Sequence, residues 1–262
     1  FPFGALRQIQ LLNIPIVRAV ESQPERQETK GFVIHSGLGE LGVKCGALFE
    51  NNRRYWAAHV IGASGALPTD WRDLELEPVD VLPAFTKERA RAANGIVPAG
   101  PVGVLAGVGA LGSVIANMWQ RQGWGTWTVV DPDHIKPHNL ARHVAFTPHI
   151  GWHKARAVAS FEAILYQDQH TWKAIPTSAR NFQNAEVAAA LDAADLVVDA
   201  TTTLEFPRDL STRDSVKRAT SVFLTPSGLG SVLLMEGSNR AIRLDALEAQ
   251  YYRGVINQPW GE

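Results

Sequence analysis

The sequence has one cysteine in 262 residues. Cys45 has no second thiol in the chain for a disulfide, and a lone cysteine cannot build a Cys-based structural zinc site, so packing must hold the fold. Such a chain is expected in a reducing, cytoplasmic setting, with Cys45 as a buried structural thiol. An excess of either charge is missing too: 25 Lys and Arg stand against 26 Asp and Glu, a net charge of -1. That excludes a global basic field, so neither nucleic acid nor an acidic membrane is an expected partner. Long hydrophobic runs are also absent. Stretches such as Val232-Leu-Leu-Met235 fall far short of the roughly 20 residues needed to cross a bilayer. There is no internal repeat and no low-complexity tract, and the first residues, Phe1-Pro-Phe, lack a methionine, as expected of a piece cut from a longer polypeptide.

What is present suffices for one large core or two modest ones, since 45% of residues are hydrophobic and 19% charged. Two Pro and two Gly within Ala92-Ala-Asn-Gly-Ile-Val-Pro-Ala-Gly-Pro101 interrupt any regular element and place a boundary there. Residues 1–95 read as a smaller mixed α+β region: Lys30 to His35 and Arg54 to Ile61 carry β-branched and aromatic residues, and Thr86 to Ala93 reads as a short charged helix. Residues 96–262 alternate strand and helix. Strands are expected at Val102–Ala106, Thr126–Asp131, near Lys173–Thr177, and at Asp195–Asp199, Ser221–Thr225 and Ser231–Met235. Helices are expected at Ala110–Gln122, about Trp152–Gln167, about Asn184–Ala193 and around Asp209–Ala219. Near-continuously apolar strands alternating with helices imply an α/β, Rossmann-like, largely parallel sheet covered on both faces.

Gly107-Val-Gly109-Ala-Leu-Gly112 follows the first of these strands and opens a helix. In that context the first Gly permits the tight turn, the second lets backbone approach a phosphate, and the third lets helix pack on strand; the helix N-terminus offers free N–H groups to an anion. Asp131 stands 19 residues beyond Gly112, at the end of the second strand, where a carboxylate can accept from ribose hydroxyls. Together these point to a nucleotide and leave open whether it is a dinucleotide or ATP. A second match, Gly37-Leu-Gly39-Glu-Leu-Gly42, is followed by Gly46, which reads as a glycine-rich hairpin or bend. His134/His138 and His149/His153 have helical spacing, but Pro137, Pro148 and Gly151 interrupt it, so no zinc site is expected.

The stretch after Asp131 brings Asn139, Arg142, His143 and then Lys154 into close succession. Fixed cations there suit an enzyme that splits ATP between the α and β phosphates, and have no task in an NAD-dependent oxidoreductase, which would use the same glycines. GxGxxG, a strand ending Asp131-Pro-Asp133, Asn139-Leu-Ala-Arg142-His143 and Gly151-Trp-His-Lys154-Ala resemble, in order and spacing, the ThiF and ubiquitin-activating enzyme family over roughly residues 100–236. The resemblance implies an adenylyltransferase that activates the C-terminal glycine carboxylate of a ubiquitin-like or sulfur-carrier protein. It implies ATP and Mg²⁺ as cofactors and pairing as a homodimer or with a related domain. By resemblance Asp131 holds the ribose, and Asn139, Arg142 and Lys154 meet the phosphates. His143 stands where the family usually has Gln, a hydrogen-bonding side chain at the nucleotide site, and Thr202 where it usually has a metal-binding Asp; Thr202 through its hydroxyl and Asp199 as a substitute anchor are the candidate Mg²⁺ ligands, and Asp199 reads equally well as a strand-end cap. The zinc-binding CxxC pairs of many relatives are absent, and Cys45 precedes the nucleotide region, whereas the family's acceptor cysteine follows it. The departure at Thr202 keeps a catalytically silent scaffold as the alternative.

Overall fold

The computed structural model describes residues 8–17, 23, 26–57, 70–167 and 171–257. The chain divides into two compact units, Phe1–Ala84 and Phe85–Glu262.

In the first unit β1 (Gln8–Ile16), β2 (Arg26–Ile34) and β5 (Leu76–Asp80) form an antiparallel sheet in the order β1-β2-β5. A separate hairpin joins β3 (Leu48–Asn51) to β4 (Arg54–Ala57), and residues 58–61 of the expected strand lie outside the described residues. The second glycine motif is a helix, not a bend: α1 spans Leu38–Lys44. Its glycines are packing surfaces, since a Cβ on Gly39 would meet the Tyr55 ring at 2.2 Å and one on Gly42 would meet Leu48 at 2.5 Å. Gly46, at φ +71°, takes the left-handed position that ends such a helix. Cys45 caps α1 and is exposed rather than buried, because a seven-residue helix ends before anything covers it.

The second unit begins eleven residues before the boundary read from sequence, because α2 (Lys87–Ala93) is built into it. Arg91 Nη1 donates to the Gly123 carbonyl at 2.9 Å, Ala90 is fully buried, and the Lys87 ammonium pairs with Glu162. Next come β6 (Val102–Ala106), α3 (Ala110–Arg121), β7 (Thr126–Val130), α4 (Lys154–Tyr166), β8 (Lys173–Ile175), α5 (Ala185–Ala193) and β9 (Leu196–Asp199). They are followed by α6 (Glu205–Ser211), β10 (Ala219–Leu224), β11 (Ser231–Met235) and α7 (Leu244–Asn257). The six strands run in the order β11-β10-β9-β6-β7-β8, parallel except for β11. This is the Rossmann-like α/β architecture expected.

Two elements depart from expectation. Helix α6 starts at Glu205 and ends at Ser211, well before Ala219, which opens β10. Pro207 sits in its first turn, where N–H groups have no intrahelical acceptor, so a residue that reads as a breaker is tolerated. Helix α7 was not expected at all.

Alternation along the strands divides the core. Val104 and Ala106 of β6 and Val197 of β9 pack with Val187, Leu191, Phe206 and Leu244, while Leu105, Trp127, Val129 and Val198 pack with Ala116, Ala155 and Val158. Helices α5, α6 and α7 thus cover one face, and α3 and α4 the other. No helix among the described residues is long and apolar enough to cross a membrane.

Glu162, 1% exposed, ties α4 to β8 and α2: it accepts from Thr171 N at 2.6 Å and Trp172 N at 2.8 Å as well as pairing with Lys87. Glu162→Ala leaves the largely buried Lys87 charge with only the Thr171 hydroxyl and takes the acceptor from two N–H groups, and should cost about 3–5 kcal/mol in urea unfolding. A loss below about 1 kcal/mol, the value of an exposed pair, would contradict this role.

Candidate functional site

Strand order reverses at β6: β7 and β8 lie on one side of it, β9 and β10 on the other. Connections leaving neighbouring strands in opposite directions open a crevice at the carboxyl ends of those strands. A pocket of about 530 Å³ lies there, within the range of about 300–1,000 Å³ common for small-molecule sites. Its wall includes Gly107, Gly109, Asp131, Arg142, Lys154 and Thr201–Thr203.

The glycine turn forms the floor. Gly107 has φ +84°, and a Cβ there would meet the Ala200 carbonyl and Thr201 Cα at 2.7 Å, so only glycine fits. A Cβ on Gly112 would meet the Gly107 carbonyl oxygen at 2.0 Å, so α3 packs directly against the turn. Gly109 is the N-cap of α3, with open space where a Cβ would stand and no side chain capping the helix. The first N–H groups of α3 are therefore free to meet an anion.

Asp131, 5% exposed, braces this turn: it accepts from Val108 N at 2.8 Å and from Asp133 N at 2.9 Å. A carboxylate has about four lone-pair sites, so two remain for a ligand. Asp133 then binds α4, accepting at Oδ2 from Lys154 Nζ at 2.7 Å and, through its carbonyl, from Lys154 N at 2.8 Å. The Lys154 hydrogen bond holds the Asp133 carboxyl below its ordinary range, against a smaller desolvation effect. Arg142 is exposed on the pocket wall and makes no ion pair among the described residues. Arg180, which the sequence reading missed, also lines the pocket and pairs with Asp209 at 2.7 Å. A basic residue on the loop just after the third parallel strand would have been the signal, since that strand end borders the same crevice.

Asn139, His143 and Asp199 lie elsewhere. Asn139 turns inward to its own 3₁₀ turn, where its Oδ1 accepts from Lys136 N at 2.9 Å. His143 is 6% exposed, with Nδ1 accepting from Ala145 N at 3.0 Å; that leaves the proton on Nε2, 2.8 Å from the Val108 carbonyl. Neither side chain belongs to the pocket wall. Asp199 is 1% exposed and accepts from Thr201 N, Thr201 Oγ1 and Ser221 Oγ at 3.0, 2.6 and 2.6 Å, acting as a strand-end cap rather than an open metal anchor. Burial pushes its carboxyl up, opposed by those hydrogen bonds. Thr202 does reach the pocket, but its Oγ1 donates to the Thr201 carbonyl at 2.6 Å, and its φ of +59° is strained for a β-branched residue. Asp131 and Asp133 are the carboxylates on the wall; Asp133 is tied to Lys154 and Asp131 keeps two open positions, so the wall offers no carboxylate clear of protein donors and the set does not fit a dedicated site for a resident Mg²⁺. The His134 and His153 rings meet with centroids 3.9 Å apart and planes tilted by 37° across an antiparallel bridge, and no group of three or more His, Cys, Asp or Glu suited to a metal occurs among the described residues.

Residues 103–238, just over half of the chain, match the model of the ThiF family. The chain belongs to the ThiF family. No curated protein matches it. Among solved structures, selenomethionine PaaA is similar at 18% identity over 47% of this chain and 38% of that chain, with a TM-score of 0.39. E. coli MccB with ATP is similar at 17% identity over 47% and 36%, with a TM-score of 0.40, and TcdA (CsdL) at 23% over 39% and 41%, with a TM-score of 0.33. The matched part of the chain thus spans about two-fifths of the length of each.

The geometry of this ThiF-family chain gives His143 a definite task. A neutral imidazole with one acceptor and one N–H donor offers the same pair of functions as the Gln carboxamide that the family resemblance puts at this position. Burial, opposed by the Val108 bond, holds His143 below the ordinary imidazole range. The unfolded chain takes up the proton near pH 6.5, while the folded imidazole stays neutral to lower pH. The stability it supplies is therefore present above that value and lost as pH falls toward the folded pKa. His143→Gln should remove this component, so urea midpoints at about pH 7.5 and about pH 5.5 should differ less than in wild type. Equal differences in the two proteins would contradict the neutral-donor role.

Proposed function

We propose that this chain binds ATP in the β6–β7–β9 pocket and adenylates the C-terminal carboxylate of a protein or peptide acceptor. The observation that carries the reading is one pocket with two halves: the uncapped N-terminus of α3 beside Gly107 and Gly109, and Arg142 and Lys154 facing the same space. Backbone N–H groups and fixed cations on one polyphosphate are what charge transfer at the α-phosphorus requires.

In the proposed reaction an acceptor carboxylate oxygen forms a bond to the α-phosphorus as the bond to the α,β-bridging oxygen breaks. The products are an acyl-adenylate and pyrophosphate, which carries off the electron pair. No side-chain nucleophile and no redox partner is needed. The site holds the two reactants in line and offsets charge moving onto the leaving group. Asp131 is assigned to the ribose through its two remaining lone-pair positions. No residue is assigned to magnesium, and no step runs through it. The acceptor class offered by the family resemblance is a ubiquitin-like or sulfur-carrier protein.

Pairing with a second copy or a related domain belongs to the same proposal. Phe146 and Trp152, 69% and 50% exposed, lie on the segment between Arg142 and Lys154 and are apolar surface such a partner would cover. Light scattering over a wide concentration range should show self-association, and a strictly monomeric mass would count against a homodimer.

One observation favours a second reading, a catalytically silent ThiF scaffold: Thr202 gives the pocket no carboxylate at that position. ATP–pyrophosphate exchange, with candidate carrier proteins as acceptors, separates the two. Arg142→Ala or Lys154→Ala should slow exchange about a hundredfold to a thousandfold while weakening ATP binding much less, because interactions stronger in the transition state act on rate. Active wild type with an unaffected Lys154→Ala would overturn the phosphate assignment. Wild type that binds ATP without exchange, with Thr202→Asp restoring it, would establish the silent reading.

A further inference from the structure

A second cavity, of about 210 Å³, adjoins the nucleotide pocket and shares Thr202, Thr203 and Leu224 with it. Helix α7 supplies one wall. Leu244, Glu248, Tyr251 and Tyr252 recur at i, i+4, i+7 and i+8, so one helical face looks onto the cavity. Pro207 of α6, Phe223 of β10 and Leu234 of β11 complete an apolar lining.

The two cavities differ in charge. The nucleotide pocket carries Arg142, Lys154 and Arg180. The smaller cavity has no Lys or Arg in its lining, and its two carboxylates are already satisfied. Glu248 is held by Arg208 through bonds of 2.9 and 2.8 Å, and Asp199 accepts three hydrogen bonds. An anion therefore finds no cation in the lining of the smaller cavity, and a cation finds no unpaired carboxylate there. An apolar group gains by leaving water.

We infer that this cavity receives an apolar side chain on the C-terminal residue of the acceptor, so that the enzyme selects a branched aliphatic or aromatic terminus rather than the glycine terminus of the ubiquitin-like and sulfur-carrier proteins that the family resemblance offers. The inference rests on the adenylation reading of the neighbouring pocket. A chain terminus laid across Thr202 and Thr203 has its carboxylate on the cationic side, where the α-phosphorus is proposed to sit, and its side chain on the apolar side. A volume of about 210 Å³ is below the small-molecule range and suits one side chain. A glycine terminus would leave it unfilled.

The test uses non-hydrolysable acyl-adenylate mimics, N-acetyl-aminoacyl sulfamoyladenosines bearing glycine, leucine, phenylalanine or aspartate, titrated calorimetrically against the whole chain with ATP in parallel. The leucyl and phenylalanyl compounds should bind about tenfold to a hundredfold more tightly than the glycyl compound, from the burial of one apolar side chain, and the aspartyl compound no better than the glycyl. Leu234→Trp, which fills the cavity, should abolish the preference and leave ATP and the glycyl compound unchanged. Should that variant fail to fold, Tyr252→Ala, which enlarges the cavity at its exposed rim, should shift the preference from leucyl toward phenylalanyl. A glycyl compound that binds as tightly as the leucyl one overturns the inference and leaves the adenylation reading standing. ATP binding with no affinity for any mimic also overturns it. Failure to bind ATP as well as every mimic removes the adenylation reading, and the inference with it.

Discussion

The backbone of Val108 is gripped on both sides of its Cα, and the geometry of the site depends on that grip. Its N–H is held by Asp131 at 2.8 Å and its carbonyl lies 2.8 Å from His143 Nε2. Gly107, at φ +84°, and Gly109 bring no side chain to brace the turn; beside the packing of Val108 in the core, the strand-end carboxylate and the buried imidazole keep the free N–H groups of α3 aimed into the crevice. The same Asp131 orders Asp133, and Asp133 positions Lys154. Turn, strand end and cation thus form one hydrogen-bonded chain, so the spacing between the α3 N-terminus and the Lys154 ammonium is set before any ligand arrives. Preorganised charge of this kind is effective because nothing must reorient when charge moves.

That chain can exist only because the sheet brings its parts together. Gly107, Asp131 and Thr201 follow β6, β7 and β9, three adjacent strands whose order places the crevice at the point of reversal. The requirement for glycine at 107 and 112 comes from the same closeness: the turn lies against Ala200 and Thr201 on one side and carries α3 on the other. Packing on the two faces explains why the strands read as continuous apolar runs. Val104 and Leu105 point to opposite cores, and each core has its own helices.

The alternation of apolar runs and helical patterns made the second unit legible, and the glycines with Asp131 located the crevice. What sequence could not supply was the direction in which side chains point. Asn139 and His143 sit in the expected motif, yet both turn toward backbone groups, because a turn closed over Val108 needs its polar atoms satisfied internally. Asp199 likewise spends its carboxylate on Thr201 and Ser221. Arg180 carried no motif; only the position of β8 beside β7 brings it to the pocket. In the first unit the glycines of α1 read as turn formers, when their role is contact with Tyr55 and Leu48, which lie beyond the helix in sequence and reach it only through the β3–β4 hairpin. Each miss is a case of tertiary contact overriding a local signal.

The three cations of the pocket are not equivalent, and the difference follows from burial. The Lys154 side chain is 12% exposed, so an unpaired ammonium there would carry a large desolvation cost, and Asp133, itself 65% exposed, offsets it. Because the carboxylate partner is mostly in water, the pair is held weakly enough that an incoming polyphosphate can compete for the ammonium. Arg180 is 49% exposed and already engaged by Asp209, whereas exposed Arg142 has no ion-pair partner among the described residues and stays hydrated until a ligand comes. In the proposed reaction Lys154 is the cation whose position is fixed in advance, and Arg142 is the one that gains most from ligand charge. Asp133 then acts as a placeholder for phosphate: it keeps a desolvated cation aimed at the crevice while the site is empty, and yields it when a group of higher charge arrives.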